Sequence, residues 1–400
     1  MKFLLVIDDY MPESTRVGAK MFHELAVQLV KNGHEVTVLT PRINQKKKLV
    51  ISLLDGVTIW NFKSGRIKDA PFIIRGINES VLSYRAWASI KPLVNKNTFD
   101  GIIYYSPSIF FGRVIKKLKT RIKCKSYLVL RDIFPQWAID SGLLKPYSPI
   151  TLYFKYFEKV CYEHADYIGL MSQANIENFK GKNKSKCEVL YNWADTSIPT
   201  REKQFFSIRD KYNLQNKVVF FYGGNIGHAQ DMGNLIRLAK NMHHMTSAHF
   251  LFIGQGDEVE LIIKMANGLN LENFTYIPSV NQQHYREILT EVDIGLFSLA
   301  YTHTFHNFPG KLLSYMAYSL PILGSVNPGN DLINVINNHE AGLITINGQD
   351  DLLYENAMKL LSDHELRERI GMSGRKLLIK KFSVKAAASL IERKFQNESY

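Results

Sequence analysis

FHNFPGKLLSYMAYSLPILGS, residues 305–325, reads as a loop, the start of a helix and a buried strand in one pass. Pro309 suits a first helical position, having no N–H to leave unpaired, and Gly310 lets the backbone come close to whatever lies in front of it. Leu312, Leu313, Met316 and Ala317 recur at helical spacing and mark an inward face, and Leu320-Pro321 closes the helix before the apolar pair Ile322-Leu323. A helix opening this way presents free backbone N–H groups and a partial positive charge. With Lys311 beside them, these make a site for phosphate. An ordinary helix cap with a surface lysine fits the same residues, so the decision passes to the rest of the chain.

Upstream of this stretch a second phosphate-type pattern appears. An apolar strand at 218–222 runs into GGNIG, residues 223–227, and a helix covers 235–242; a strand at 249–253 then leads into GQG, residues 254–256, and a helix at 259–266. Further strands are expected at 274–277, 294–297 and 321–323. The loop lacks the full G-x-G-x-x-G pattern, yet strand, Gly-Gly-x-x-Gly and helix suit close backbone approach to a phosphate. Two such segments in one half are harder to explain by packing alone.

The first half repeats the architecture. Residues 3–7 form a buried strand, YMPESTRVG at 10–18 a loop, 19–31 a helix with Met21, Phe22, Leu25, Leu29 and Val30 on one side, and 35–40 the next strand. This is a β-α-β unit with a polar loop at the carboxyl end of its first strand, where open parallel sheets bind ligands. Strands at 101–105 and 126–130 follow, the first leading to a helix at 110–119 and the second to RDIFP at 131–135. An amphipathic helix at 152–164 with aromatics on its inner face and a strand at 167–171 come next, and the polar stretch 196–207 reads as a linker. The expected fold class is therefore α/β, with two Rossmann-like, doubly wound parallel-sheet domains, 1–197 and 198–384, facing a cleft. A last helix at 385–400 would cross back onto the first domain.

With 46% hydrophobic and 22% charged residues in 400, neither disorder nor a fibrous repeat is indicated. Cys124, Cys161 and Cys187 show no C-x-x-C spacing, which points to a reducing compartment and away from a structural zinc. The first apolar run stops at Asp8-Asp9, too early for a signal peptide, and no apolar window is long enough to span a membrane. Charge divides the chain: residues 1–200 hold 30 Lys and Arg against 17 Asp and Glu, whereas residues 201–400 hold 20 of each. The densest basic run is Arg113, Lys116, Lys117, Lys119, Arg121, Lys123 and Lys125, with a smaller cluster at 46–48 that a merely solvated loop also explains. This asymmetry suits an anionic partner for the first half: a membrane surface, a lipid-linked phosphate or a nucleic acid. Few aromatics interleave with the basic run, which counts against nucleic acid.

Taken together, these motifs resemble the GT-B glycosyltransferases of family 4 over nearly the whole chain. PESTRVGAKMFHELAVQLVKNGHEVTVLT at 12–40 looks like the family's first β-α-β unit, YNWAD at 191–195 its N-x-x-D element, GGNIG its glycine loop, IGQGDEVELI at 253–262 its second strand-loop, and FPGKLLSYMAYSLPILGS its signature helix. IDDYMPEST, LRDIFPQWAIDSGLL and GGNIGHAQ together resemble the branch of WbuB-type fucosamine (L-FucNAc) transferases of O-antigen and capsule assembly. The resemblance implies a UDP-sugar donor in the second half and, as acceptor, a sugar on undecaprenyl diphosphate. It also implies a cytoplasmic enzyme peripheral on the inner face of a bacterial plasma membrane. The family signature carries two glutamates in E-x7-E; here His306 and Ser314 stand in their places. Ser314 can donate a hydrogen bond to a ribose but cannot act as a charged bidentate acceptor.

Glycosyl transfer leaves negative charge on the departing diphosphate, so preorganised donors there are the main requirement. The candidate donor-binding residues are Gly223, Gly224, Asn225, Gly227, Gly254, His306, Asn307, Phe308, Gly310, Lys311 and Ser314, with Lys311 as the catalytic cation. No Asp-x-Asp element stands at a strand end, and Asp8-Asp9 is not one, so no metal or other cofactor is expected. On the acceptor side the candidates are Glu13, Arg16, Gly18 and Asp132. Asp132 is the candidate general base for an inverting reaction, with Glu13 in reserve, although an aspartate capping the next turn fits Asp132 equally well. A sugar-nucleotide epimerase or a phosphorylase of the same architecture is the alternative enzyme, and a basic nucleic-acid-binding protein the alternative of another class. The donor and acceptor sugars and the anomeric outcome are left open.

Overall fold

The structure, a computed structural model, describes residues 1–396 apart from 15, 69, 107, 141, 180, 195, 197–206 and 303–307. It divides into two compact units, Met1–Tyr191 with Val384–Tyr400, and Asn192–Ser383. The first break falls ahead of the expected 197.

The first unit is built on an eight-stranded sheet ordered β3-β4-β2-β1-β5-β6-β7-β8. Its strands are β1 (Lys2–Val6), β2 (Glu35–Arg42), β3 (Leu49–Leu54), β4 (Val57–Lys63), β5 (Gly101–Ser106), β6 (Lys125–Leu130), β7 (Tyr167–Leu170) and β8 (Cys187–Val189). Every pairing is parallel except β3 with β4, a hairpin turned by Asp55 and Gly56, both at positive φ. Phe3, Leu4, Leu5 and Val6 are all fully buried, as befits a strand covered on both faces. The helix Val17–Lys31 begins two residues earlier than the hydrophobic pattern suggested, because Arg16 is extended and acts as its cap. Phe22, Leu25 and Leu29 are in the core as expected, whereas Met21 and Val30 are half-buried. The last helix, Val384–Gln396, packs on it within the same unit. There Glu392 Oε1 accepts from Asn32 Nδ2 at 2.7 Å and sits 3.1 Å from His34 Nε2, and Phe395 meets Phe3 edge-on.

The helix expected at 152–164 runs Pro149–Glu163, and its aromatics are not all inward: Phe157 is buried, but Tyr153 and Tyr156 are exposed. Among the described residues no helix is long and apolar enough to cross a membrane.

The second unit has a six-stranded, all-parallel sheet ordered β11-β10-β9-β12-β13-β14. The strands are β9 (Val218–Asn225), β10 (Ala248–Gln255), β11 (Phe274–Pro278), β12 (Ile294–Ser298), β13 (Ile322–Val326) and β14 (Gly342–Ile346). Strand β9 runs past the apolar stretch that announced it. Gly223, Gly224 and Asn225 pair with Ile253, Gly254 and Gln255, so the first part of the glycine segment is a strand end and not a loop. The helix that followed Pro309 in the sequence reading spans Gly310–Ala317; Pro309 is its extended cap, not its first residue. It ends before Tyr318, and Ser319 at φ 55° turns the chain toward β13.

In each sheet the order of strands reverses at one point: between β1 and β5 in the first unit, and between β9 and β12 in the second. Loops at the carboxyl ends of strands beside such a reversal are where open α/β sheets hold ligands. The residues singled out in the sequence are concentrated at these two places.

Candidate active site

In the second unit, the end of β9, the end of β10 and the start of the helix Gly310–Ala317 converge. The Nζ of Lys311 is buried, has no hydrogen-bond partner among the described residues, and lies 3.7 Å from the centroid of the Tyr222 ring. Burial pushes its pKa down to about 7. A lysine without a counter-ion is costly in such a place, and the ring face returns only part of the lost hydration. Gly224, at φ 128°, faces it directly: a Cβ built there would stand 3.5 Å from Lys311 Nζ and Cε.

Close packing of backbone on backbone explains Gly254 and Gly256. A Cβ on Gly254 would lie 1.9 Å from the Gly224 carbonyl oxygen, and one on Gly256 2.1 Å from that of Ile226. Ile226 N–H donates to the Gln255 carbonyl at 2.9 Å and closes the two segments together. Gly227 is tight against Asn225 Nδ2 and Asp257 Oδ1, and Asn225 Nδ2 in turn donates to Gln230 Oε1 at 2.8 Å, so Asn225 braces the turn. Tyr315, fully buried in the signature helix, accepts the Gly223 N–H at 3.1 Å. That bond fixes the helix carrying Lys311 to the strand carrying Gly224.

Among the described residues no side chain caps the first turn of this helix, and a Cβ on Gly310 would meet none of their atoms within 4 Å. The Phe308 ring is buried against Phe382 at 4.4 Å and anchors the approach to the helix. Ser314 is half-buried on the same helix. The structure thus brings Lys311 together with Gly223, Gly224 and Gly254, with Asn225 and Gly227 continuing the same strand end. His306 and Asn307, and Asp195 of YNWAD, lie outside the described residues.

In the first unit the strand ends beside the reversal gather charge. Asp8, buried just past β1, pairs with Lys68 Nζ at 2.8 Å. Glu79, which receives Arg75 Nε at 3.0 Å, is pushed up by burial, with Asp8 and Lys68 both acting on it. Asp132, two residues past β6, is exposed at its edge yet surrounded by enough protein that desolvation raises its pKa, an effect that Lys68 and Arg131 partly offset. Lys68 therefore sits among three carboxylates from three separate segments. Arg131 is buried and donates to the carbonyls of Leu190 at 2.6 Å and Tyr191 at 3.2 Å, which ties the end of β6 to the chain leaving β8.

The other acceptor-side candidates are placed differently. Glu13 pairs with Arg42 at 2.7 Å and Arg16 with Asp9 at 3.3 Å, both in partly exposed ion pairs on the first loop. Gly18 makes a close approach, but to the Tyr105 ring: a Cβ would stand 3.0 Å from Tyr105 Oη. Sequence reasoning missed Tyr222, Tyr315, Lys68 and Glu79. Tyr315 had a signal, since it follows Leu312 at the helical spacing already used. Lys68 had none, because it lies on a loop without periodicity. Among the described residues, no group of three or more His, Cys, Asp or Glu is placed to hold a metal ion.

Residues 204–377 match the family model described as glycosyl transferases group 1, and this span contains both glycine segments and Lys311. The chain is a glycosyltransferase. Its GT-B fold is seen in solved structures along essentially the full chain. One is the sucrose-phosphate synthase of Thermosynechococcus elongatus, with a TM-score of 0.66 at 14% identity, covering 99% of this chain and 98% of that one. Another is HepE of Anabaena in complex with UDP and glucose, with a TM-score of 0.65 at 12% identity, covering 98% and 99%. By sequence, the transferase is 23% identical over 298 residues to WcaI of Escherichia coli (strain K12), named for glycosyl transfer in colanic acid biosynthesis. The match covers 70% of this chain and 72% of that protein.

Proposed function

We propose that the transferase moves an N-acetylated deoxyhexose such as L-FucNAc from UDP to a sugar carried on undecaprenyl diphosphate, in the assembly of a bacterial surface polysaccharide such as O-antigen or capsule. The observation that carries the donor half of this reading is Lys311: a buried amine with no hydrogen-bond partner among the described residues, beside a glycine backbone and a helix start. A diphosphate is the ligand that such a group suits, since it supplies the counter-charge that the protein does not. The complexes of HepE with UDP and glucose and of an Escherichia coli trehalose-6-phosphate protein with UDP-2-fluoro glucose support a UDP donor. The name of the WcaI relative supports a polysaccharide product.

In this reading the second unit holds the donor. Backbone N–H groups of Gly224, Gly227, Phe308 and Gly310 and the Lys311 ammonium stabilise the diphosphate as the bond from its oxygen to the anomeric carbon breaks, and no metal is needed to do so. The first unit receives the acceptor beside Asp132, which takes the proton of the attacking hydroxyl on an inverting course. Lys68 holds Asp132 in place electrostatically. The excess of basic residues in the first unit attracts the transferase to an anionic leaflet on the cytoplasmic side, where its acceptor is anchored.

The test is incubation of the transferase with a panel of UDP-sugars and a short-chain lipid-diphosphate-linked acceptor, with products read by mass spectrometry. Addition of one deoxy-N-acetylhexose is the expected result. No transfer from any UDP-sugar while another nucleotide sugar is consumed would overturn the donor assignment.

A further inference from the structure

The helix Pro149–Glu163 turns an unusual face to solvent. Over its first three turns the exposed side includes Ile150, Leu152, Tyr153 and Tyr156, interspersed only with Lys155 and Lys159. Leu152 is 53% and Tyr156 49% exposed, and neighbouring Tyr147 is 83% exposed. The inward side, with Thr151, Phe157 and Cys161, already satisfies the core, so this outer face does not exist for packing within the unit. Glu158 is not part of it: it is half-buried, and desolvation raises its carboxyl to about 7.

The patch extends beyond one helix. Tyr153 Oη hydrogen-bonds Ser80 Oγ at the end of the helix Phe72–Ser80, and one and two turns back on that helix Ile77 and Ile74 are exposed, Ile77 by 60%. On another side the half-exposed Trp137 meets Phe134, which packs on Phe154 at 4.9 Å. Arg113, the first basic residue of the helix Gly112–Ile122, stacks over Tyr156 and Phe157 at 5.5 and 4.9 Å. Aliphatic, tyrosine and tryptophan side chains bordered by lysine and arginine are what a lipid headgroup boundary accepts: rings at the interface, stems in the acyl edge, charges on phosphate. A protein partner would equally bury the apolar atoms, but it would leave Lys155, Lys159 and Arg113 in need of carboxylates placed one by one, whereas a leaflet offers phosphate everywhere.

We infer that this face, centred on Leu152, Tyr153 and Tyr156, inserts shallowly into the surface of an anionic phospholipid bilayer. The inference deepens the proposed function, resting on its lipid-linked acceptor. It assigns docking to apolar insertion assisted by charge, not to the basic helix Gly112–Ile122 alone. In that helix Lys119 is already held by Asp166, Arg121 donates to the Val94 carbonyl, and Lys117 stands over Trp87.

The experiment is co-sedimentation of the full chain with phosphatidylcholine vesicles with and without phosphatidylglycerol, comparing wild type with the Leu152→Ser, Tyr156→Ser double variant. The expected result is a partition coefficient lowered at least about tenfold in the variant, the scale of losing two half-exposed apolar side chains. Binding of the wild type should persist in part at about 1 M salt, where the Debye length is about 3 Å. Lys155→Gln with Lys159→Gln should remove the preference for phosphatidylglycerol. Quenching of tryptophan fluorescence by brominated lipid, lost in Trp137→Phe, reads the same insertion without weakening the face. Equal partition of the double variant and wild type, or no quenching in vesicle-bound wild type, would overturn the inference. So would a dimer dissolved by the same double substitution, which would make the occupant a second copy of the chain. UDP binding, followed on the same samples, is expected to be unchanged in every variant; its absence from wild type would count against the transferase reading and leave the vesicle result to decide docking by itself.

Discussion

Lys311 Nζ stands 3.7 Å from the ring centroid of Tyr222, and nothing else among the described residues accepts its protons. A strand residue and a helix residue thus make a cation site that is desolvated but not neutralised. Such a site is unfavourable until an anion arrives, so the folded chain holds it at a cost that an anionic ligand would relieve.

That cost has a sign that can be measured. Burial lowers the Lys311 pKa to about 7, well below the value of a lysine in the unfolded chain, so between pH 7 and the ordinary lysine range the unfolded state binds more protons than the folded one. Stability relative to Lys311→Met should therefore be lowest and flat below about pH 7, and should rise with pH above it. Urea denaturation of both proteins across that range checks this; parallel curves would mean that the ammonium is not desolvated.

Two glycines separate packing from ligand contact. Gly254→Ala drives a Cβ into the Gly224 carbonyl and should destabilise the second unit by roughly 1–3 kcal/mol, the ordinary cost of overpacking. Gly310→Ala would meet no atom of the described residues and should leave the melting temperature unchanged or slightly raised while weakening donor affinity, because the added methyl occupies the approach to the helix start. Thermal melts alongside donor KM distinguish the two; a destabilised Gly310→Ala would show that the helix start is not open.

Asp132 should impose an acid limb on kcat/KM. Desolvation raises its pKa, and only the ionised form accepts the hydroxyl proton, so activity should rise with pH through a value above the ordinary carboxylate range. Asp132→Asn should lose that limb and about a hundredfold or more in rate. Lys68→Met, which removes the cation lowering the Asp132 pKa, should move the limb to higher pH. An unmoved limb in both variants would assign it to another group.

If Lys311 and backbone N–H groups neutralise the diphosphate without a metal, initial rates should be insensitive to saturating chelator. Activity lost to chelator and restored by magnesium or manganese would contradict this.

Much of this was legible in the sequence because buried parallel strands are continuous apolar runs and their loops are rich in glycine. Phe220, Phe250 and Leu296 announced their strands. The hairpin β3–β4 was missed even though Asp55-Gly56 is a strong turn signal, because β3 is an edge strand with Ile51 and Leu53 exposed and so lacks a clean alternation of buried and exposed residues. The position of Lys311 in the first turn of its helix was legible, but its neighbour was not: Tyr222 read as the last residue of a strand, and only the fold shows that its ring underlies the lysine. The amphipathic helix expected at 152–164 was given its aromatics on the inner face, and periodicity cannot tell a core face from an apolar face that stays exposed, as Tyr153 and Tyr156 do.

The most direct test of the central claim is calorimetric titration of the transferase with UDP at pH 7.5 in buffers of different ionisation enthalpy. A diphosphate beside Lys311 restores its charge, so binding should take up a proton, about 0.5–1 per UDP given a free pKa near 7. In Lys311→Met that uptake should vanish and affinity should fall about a hundredfold. UDP binding by wild type with the same proton balance and affinity as Lys311→Met would contradict the account.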